Sequence, residues 1–288
     1  MVEDHLRGLD FLPTLPAERA EAEGTEGLVD AMRYSLLAGG KRFRPVLALA
    51  TCESLGQDPH TLLPAAAAIE LIHTYSLIHD DLPAMDDDAL RRGKPTCHVA
   101  FGEDTAILAG DALFAEAMRL VCERQEGGPA VQVAVLRELS WATGVGGMVG
   151  GQFLDLQDAG HGSAAALARV HALKTGRLIA ASVHVALVVG APDAALAERY
   201  RAYARELGLL FQVVDDILDV AGSPEMLGKA VGADARLGKA TYVSVHGLER
   251  ARALAGDIHE RAMGLLDELP GPVEDLRELT DHVFLRQH

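Results

Sequence analysis

Asp80-Asp81-Leu82-Pro83-Ala84-Met85-Asp86 and Asp215-Asp216-Ile217-Leu218-Asp219 gather carboxylates into two short segments far apart in the chain. Each follows an apolar run with helical spacing, where like charges are costly unless positive charge compensates them. Hard divalent cations favour carboxylate oxygens and are the simplest compensation. Such cations commonly hold an anionic substrate as well, most often a phosphate. A single acidic run is usually a solvated helix end. Two runs with this spacing, each behind a buried face, favour a metal site instead.

The basic residues are equally uneven. Gly39-Gly40-Lys41-Arg42-Phe43-Arg44-Pro45 packs three cations into a glycine-bounded turn, and Arg91-Arg92-Gly93-Lys94 follows the first acidic cluster closely. Lys174-Thr175-Gly176 interrupts a helical run, and Lys229 and Lys239 lie in a glycine-rich stretch between Val220 and Thr241. A chain of net charge -16 that places its cations beside its carboxylates is expected to bind an anion together with metal. The arginine fork can engage two phosphate oxygens at once.

Helices must position these groups. Good helix formers dominate the sequence, and alternating β-branched runs are absent. The punctuation predicts helices over about 25–38, from Pro45 to near Gly56, from Pro64 to the first aspartates, and over about 104–124, 130–156, 164–189, 194–220, 241–268 and 273–286. Ile69, His73, Ser76 and Asp80 are spaced i, i+4, i+7, i+11, so His73 and Asp80 share a face two turns apart. Gln212, Asp215 and Asp219 form one polar ridge, with Asp216 beside it. Asp86 is six residues from Asp80, which is not a helical repeat. Pro83 cannot donate a backbone hydrogen bond and should distort the turn so that Asp86 returns toward Asp80.

Composition sets further bounds. Hydrophobic residues make up 49% and charged residues 24%, which excludes a disordered or fibrous chain. The negative charge argues against a nucleic-acid partner and an anionic membrane surface. Cys52, Cys97 and Cys122 lack CxxC spacing and read as reduced thiols of a cytosolic protein. No basic flank and apolar core open the chain, so neither a signal peptide nor a location beyond the cytoplasm is expected. Leu178–Val189 is too short and interrupted to span a bilayer and reads as a buried helix. No linker divides the chain, which predicts one all-α domain over 1–288.

These motifs resemble the trans-prenyl diphosphate synthases, from roughly residue 28 to the C-terminus. The resemblance rests on Gly39–Pro45, on His73-Thr74-Tyr75-Ser76-Leu77-Ile78-His79 running into Asp80–Asp86, and on Arg91–Thr96. Lys174–Gly176, Phe211-Gln212-Val213-Val214 running into Asp215–Asp219, and Leu227-Gly228-Lys229 complete it. Two residues extend the first acidic motif beyond DDxxD, a form similar to bacterial farnesyl and plant-type geranylgeranyl diphosphate synthases.

The resemblance implies a helical bundle of the isoprenoid synthase type with a central cavity, working as a homodimer. It implies that Asp80 and Asp86, with Asp81 nearby, hold two magnesium ions, and that Asp215, supported by Asp216 and Asp219, anchors a third; manganese is an alternative. Arg91, Lys174, Lys229 and Lys239 would contact an allylic diphosphate, and Lys41, Arg44, His73 and Arg92 isopentenyl diphosphate. Lys174, Thr175 and Gln212 would steady an allylic cation, with 222–239 as a lid. The product tail would run along the helix that carries Asp80, so Tyr75 and Ser76 would form its floor. A bulky Tyr75 implies a C15 product; geranylgeranyl diphosphate is the alternative.

Competing readings fit less well. Terpene cyclases line their pockets with aromatics, and only 5% of this chain is aromatic. A non-catalytic partner subunit would be expected to lose aspartates, and no EF-hand loop is present. The glycines between Gly144 and Gly151 fail the dinucleotide pattern, so close helix packing is expected there. His161, His171 and His184 lack zinc-ligand spacing and read as non-catalytic.

Overall fold

A computed structural model describes residues 1–12, 16–157, 164–221 and 241–285. Lys229, Lys239, His161 and the glycine-rich 222–239 stretch lie outside the described residues. The described helices are α1 (Val2–Arg7), α2 (Pro16–Glu21), α3 (Glu26–Leu36), α4 (Phe43–Ser54), α5 (Leu63–Asp80), α6 (Cys97–Phe101), α7 (Glu103–Arg124), α8 (Gly128–Thr143), α9 (Met148–Leu156), α10 (Ala164–His171), α11 (Arg177–Gly190) and α12 (Ala194–Ala221). Three more follow: α13 (Tyr242–His246), α14 (Leu248–Asp267) and α15 (Glu274–Leu285). Among the described residues the only strands are β1 (Leu90–Arg91) and β2 (Lys94–Pro95), an antiparallel pair. Arg92 and Gly93 make its turn with φ of 54° and 76°. That geometry matches the type I′ turns that suit the twist of a hairpin.

Three runs expected to be continuous helix are broken. The 130–156 run divides into α8 and α9, because the glycines from Gly144 to Gly147 let the chain fold sharply back on itself. A Cβ at Gly147 would overlap the Ala142 carbonyl. The 241–268 run divides at Gly247, where φ is 80°. Between α10 and α11, Ala172–Gly176 forms a π turn. The sequence interruption at Lys174-Thr175-Gly176 is therefore a local widening of one long helical run rather than a loop.

Apolar faces meet in two clusters. One gathers around α5 and α7, with Ile69, Ile72, Leu113 and Leu139 fully buried. The other gathers around α12, α14 and α15, with Leu207, Val214, Ile258 and Leu276 fully buried. Helices α4 and α11 serve both: Leu49 and Val185 join the first, Leu47 and Val183 the second. Buried tyrosines pin α12 to its neighbours. The Tyr200 hydroxyl lies 2.6 Å from the Ser54 hydroxyl of α4, and Tyr203 lies 3.0 Å from Thr280 of α15.

Pro59–Asp80 and Ala165–Gly190 are each long and apolar enough, by composition, to cross a membrane. The second run exceeds the Leu178–Val189 stretch read from sequence because the π turn continues it. In this fold both pack inside the protein: Ala65–Ile72 of α5 is buried throughout, and α11 presses against α4, α8 and α12.

Candidate active site

Helices α5 and α12 face each other across a cavity of about 670 Å³. Asp80 at the end of α5, Asp86 just beyond it and Asp215 on α12 all line it, with Arg44, Arg91, Arg92 and Lys174. His73, Tyr75 and Ser76 of α5 and Met148, Val149 and Phe153 of α9 line it as well. The two aspartate motifs thus share one space.

The first wall depends on how α5 stops. Asp80 is its last residue, and the next turn tightens around Pro83. The Asp86 amide then donates to the Asp80 carbonyl at 2.9 Å, bringing Asp86 back beside Asp80. Burial pushes the Asp80 carboxyl up to about 6; Lys174 opposes this, while the charge of Asp86 adds to it. Asp81 turns away. It is buried and accepts from Arg91 Nε at 2.7 Å and 2.9 Å, and it lines a small neighbouring crevice instead of the main cavity. Its position makes it a holder of Arg91.

The second wall divides its work in the same way. Asp215 lines the cavity, whereas Asp219 is buried behind it and is not among the lining residues. Asp216 is buried except at the cavity edge. It accepts from Gln212 Nε2 at 2.7 Å and from the Tyr242 amide at 2.7 Å. A carboxylate only accepts, so Gln212 must give it the NH₂ group, which leaves the Gln212 amide oxygen as the acceptor available to the cavity. The ridge expected from Gln212, Asp215 and Asp219 is thus split between cavity and interior.

Lys174 and Thr175 both reach the cavity from the π turn. π turns inside α-helices occur frequently at functional sites. Lys174 Nζ is held by Asp155 at 2.7 Å. A Cβ on Gly151 would strike the Lys174 backbone, so α9 packs directly on this turn. Asp155, on α9, is the partner that holds Lys174.

Arg44 lies over the Phe211 ring at 5.8 Å, and burial pushes it down to about 10, against the pull of Glu70 and Asp215. His73 is held well below the usual histidine range by burial and by Arg44, Arg92 and Arg91. It is therefore a neutral imidazole at pH 7. Arg92 donates to the Gly39 carbonyl. Lys41 is exposed and is not among the lining residues, so the structure brings Arg44, Arg92 and His73 together without it. Sequence reasoning missed His171. It lines the cavity, packs on Tyr242 at 5.5 Å and is lowered by burial to about 4. The search for zinc spacing could not find it, because its neighbours come from α9 and α13.

At the floor, Tyr75 is only 9% exposed and packs edge-on against Phe114 at 5.4 Å and His79 at 5.8 Å. Burial raises its hydroxyl to about 12.

The donor set fits hard cations. Asp80, Asp86 and Asp215 offer carboxylate oxygens, and burial of Asp80 leaves a carboxyl that a nearby cation would ionise. Among the described residues no three such side chains converge tightly enough to enclose a metal by themselves. That matches magnesium, which keeps several waters and shares one or two carboxylates with substrate phosphates.

A profile of the polyprenyl synthetase family matches residues 25–276. The farnesyl diphosphate synthase of Escherichia coli is 47% identical over 266 residues, covering 90% of this chain and 89% of that enzyme. A chloroplastic geranylgeranyl pyrophosphate synthase of Capsicum annuum is 46% identical over 263 residues, covering 90% of this chain and 71% of that protein. The crystal structure of a Helicobacter pylori geranyltransferase, complexed with magnesium and isoprenyl diphosphate, superposes with a TM-score of 0.83 at 34% identity, covering 99% of this chain and 93% of that one. With the profile spanning most of its length and both aspartate walls on one cavity, this chain belongs to the polyprenyl synthetase family.

Proposed function

We propose that the protein is a prenyltransferase, one domain over 1–288, that joins isopentenyl diphosphate to dimethylallyl or geranyl diphosphate and releases farnesyl diphosphate (C15). One observation supports this reading: Asp80, Asp86 and Asp215 line a single cavity together with Arg44, Arg91, Arg92 and Lys174, and Tyr75, five residues before Asp80 on α5, lines the same cavity. Carboxylates and cations suit a diphosphate; the apolar lining residues suit a hydrocarbon tail. The similarity to the E. coli farnesyl diphosphate synthase supports the same chemistry.

Asp80, Asp86 and Asp215 would hold magnesium, with three ions expected and manganese as a substitute. When bound, the metal neutralises charge on the diphosphate leaving group. Arg91 and Lys174, already held by Asp81 and Asp155, meet that group with little reorganisation. Lys229 and Lys239 would add to them from outside the described residues. The Gln212 amide oxygen, the Thr175 hydroxyl and the Lys174 carbonyl face the carbon that becomes cationic. Arg44 and Arg92 hold isopentenyl diphosphate beside neutral His73, and its double bond attacks that carbon. The proton lost from the adduct goes to the released diphosphate. Exclusion of water keeps the cation from becoming an alcohol.

Exposed apolar side chains on α7, α8 and the turn that follows α8 support a homodimer. Ile107, Leu108, Val133, Trp141 and Val145 are all exposed, Trp141 by 64% and Val145 by 88%. A second copy is the occupant this face is expected to meet. A cytoplasmic location fits the reduced cysteines.

The deciding assay supplies isopentenyl diphosphate, magnesium and each allylic diphosphate in turn, then sizes the dephosphorylated products. A C15 alcohol is expected. A C20 product would favour the geranylgeranyl reading carried by the Capsicum similarity, and a cyclic hydrocarbon would refute the reaction class.

A further inference from the structure

Arg42 stands between two proposed ligands of isopentenyl diphosphate yet does not line the cavity. It is 7% exposed, and its backbone is left-handed, with φ of 49°, a costly conformation for a residue that is not glycine. Each guanidinium nitrogen meets a different element. Nε donates to Glu3 of α1 at 3.0 Å, Nη1 to Glu70 of α5 at 2.7 Å and Nη2 to the Leu36 carbonyl at the end of α3 at 2.7 Å. Glu70 is 2% exposed, so this is a buried ion pair.

The loop from Leu37 to Arg42 carries both halves of the cationic pocket. Arg44 follows Arg42 by two residues on the first turn of α4. Arg92 arrives from the β1–β2 turn and donates to the Gly39 carbonyl of the same loop. Its guanidinium lies where a Cβ of Gly40 would be, 2.6 Å from that position. A side chain at Gly40 would therefore expel Arg92, and φ of 125° there disfavours one as well. Arg42 ties this loop to α1, α3 and α5 together.

We infer that Arg42, through Glu70, Glu3 and the Leu36 carbonyl, is a positioning residue that sets Arg44 and Arg92 for isopentenyl diphosphate, and that α1 is thereby coupled to that site. The inference rests on the proposed placement of isopentenyl diphosphate at Arg44 and Arg92. Asp215 and Lys174, proposed for the metal and the allylic diphosphate, are carried by α12 and the π turn instead. Lysine cannot replace Arg42, because one ammonium cannot span three separately placed acceptors.

The test compares KM for the two substrates in Arg42→Lys, Glu70→Gln, Gly40→Ala and Arg92→Gln, with melting temperature measured alongside. In Arg42→Lys, Glu70→Gln and Gly40→Ala, KM for isopentenyl diphosphate is expected to rise about tenfold or more while the allylic KM stays within about threefold. Equal rises for both substrates, or an unchanged isopentenyl KM in Arg42→Lys, would overturn the inference. Arg92→Gln separates the two levels: if it leaves the isopentenyl KM unchanged, the placement of the substrate is wrong, whatever Arg42 does. If Arg42→Lys and Glu70→Gln do not fold, Glu3→Gln decides, since it loosens only the half-exposed arm of the clamp. A rise of about twofold or more in the isopentenyl KM alone supports the coupling, and parallel or absent changes refute it.

Discussion

The two aspartate walls solve one problem with different materials. Each begins with a pair of adjacent aspartates whose first member lines the cavity; the second is buried, Asp81 away from the cavity and Asp216 reaching only its edge. On α5 the inward member, Asp81, grips a cation, Arg91. On α12 the inward member, Asp216, is held by neutral donors, the Gln212 amide and the Tyr242 N–H. The first pair therefore builds a charged contact for the leaving group, and the second orients a dipole and anchors the start of α13. The second member of each pair already holds a protein partner, Arg91 for Asp81 and Gln212 with Tyr242 for Asp216.

The largest effect should come from the members that face the cavity. Asp80→Ala and Asp215→Ala are each expected to lower kcat/KM about a thousandfold or more with the fold intact by circular dichroism. If one of them retains full activity, the walls are not equivalent and the shared-metal reading fails. The inward members should be milder and should differ from each other. Asp216→Asn leaves a buried donor without its acceptor, which costs about 1–3 kcal/mol, so kcat is expected to fall about tenfold or more with both KM values little changed. Asp81→Asn keeps a hydrogen bond to Arg91 but loses the charge; KM for the allylic substrate should rise about tenfold, with a smaller change in kcat. The same pattern from both variants would erase the contrast.

Two gentler probes sharpen it. Tyr75→Ala should lengthen the product beyond C15 while changing turnover by no more than about threefold, since Tyr75 is proposed to hold neither metal nor diphosphate. An unchanged C15 product would make Tyr75 mere core. The last probe is pH. In the metal-free protein the Asp80 value lies above the ordinary 3.8, at about 6, because burial disfavours the charge. The folded state thus holds a proton that the unfolded chain has released, and the stability cost of this group grows as pH rises through that window, then stays constant. Magnesium should offset that cost, so its stabilisation of the melting temperature is expected to be a few degrees larger at pH 8 than at pH 5. Equal shifts at both pH values would dissociate Asp80 from the metal.

Most of the helical plan was readable, because Gly39-Gly40, Pro45 and Pro64 punctuate a sequence of strong helix formers, whereas the glycines near Gly144 divide α8 from α9 inside a run that reads as one helix. The sharing of a face by His73 and Asp80 followed from spacing alone, whereas the return of Asp86 toward Asp80 followed from Pro83, which breaks the helical repeat. What escaped was anything decided across helices. Heptad-like spacing put Asp219 on the ridge with Asp215, but the packing of α13 and α14 against α12 buries it. Asp155 beside Lys174, and Glu70 beside Arg42, are pairings between residues remote in sequence. Charge patterns cannot rank such pairs. Lys41, which the resemblance assigns to isopentenyl diphosphate, is exposed and is not among the residues that line the cavity.

The π turn at Ala172–Gly176 amounts to a single surplus residue wound into an otherwise regular rod. Excising one residue there would restore an ordinary helix from α10 into α11 and rotate everything upstream by about 100°. His171 would swing out of the cavity wall, and Lys174 would leave Asp155, although every other side chain were kept. The segment should therefore forgive many exchanges of residue type but no change in residue number, which makes its length, more than its composition, the inherited part of the design.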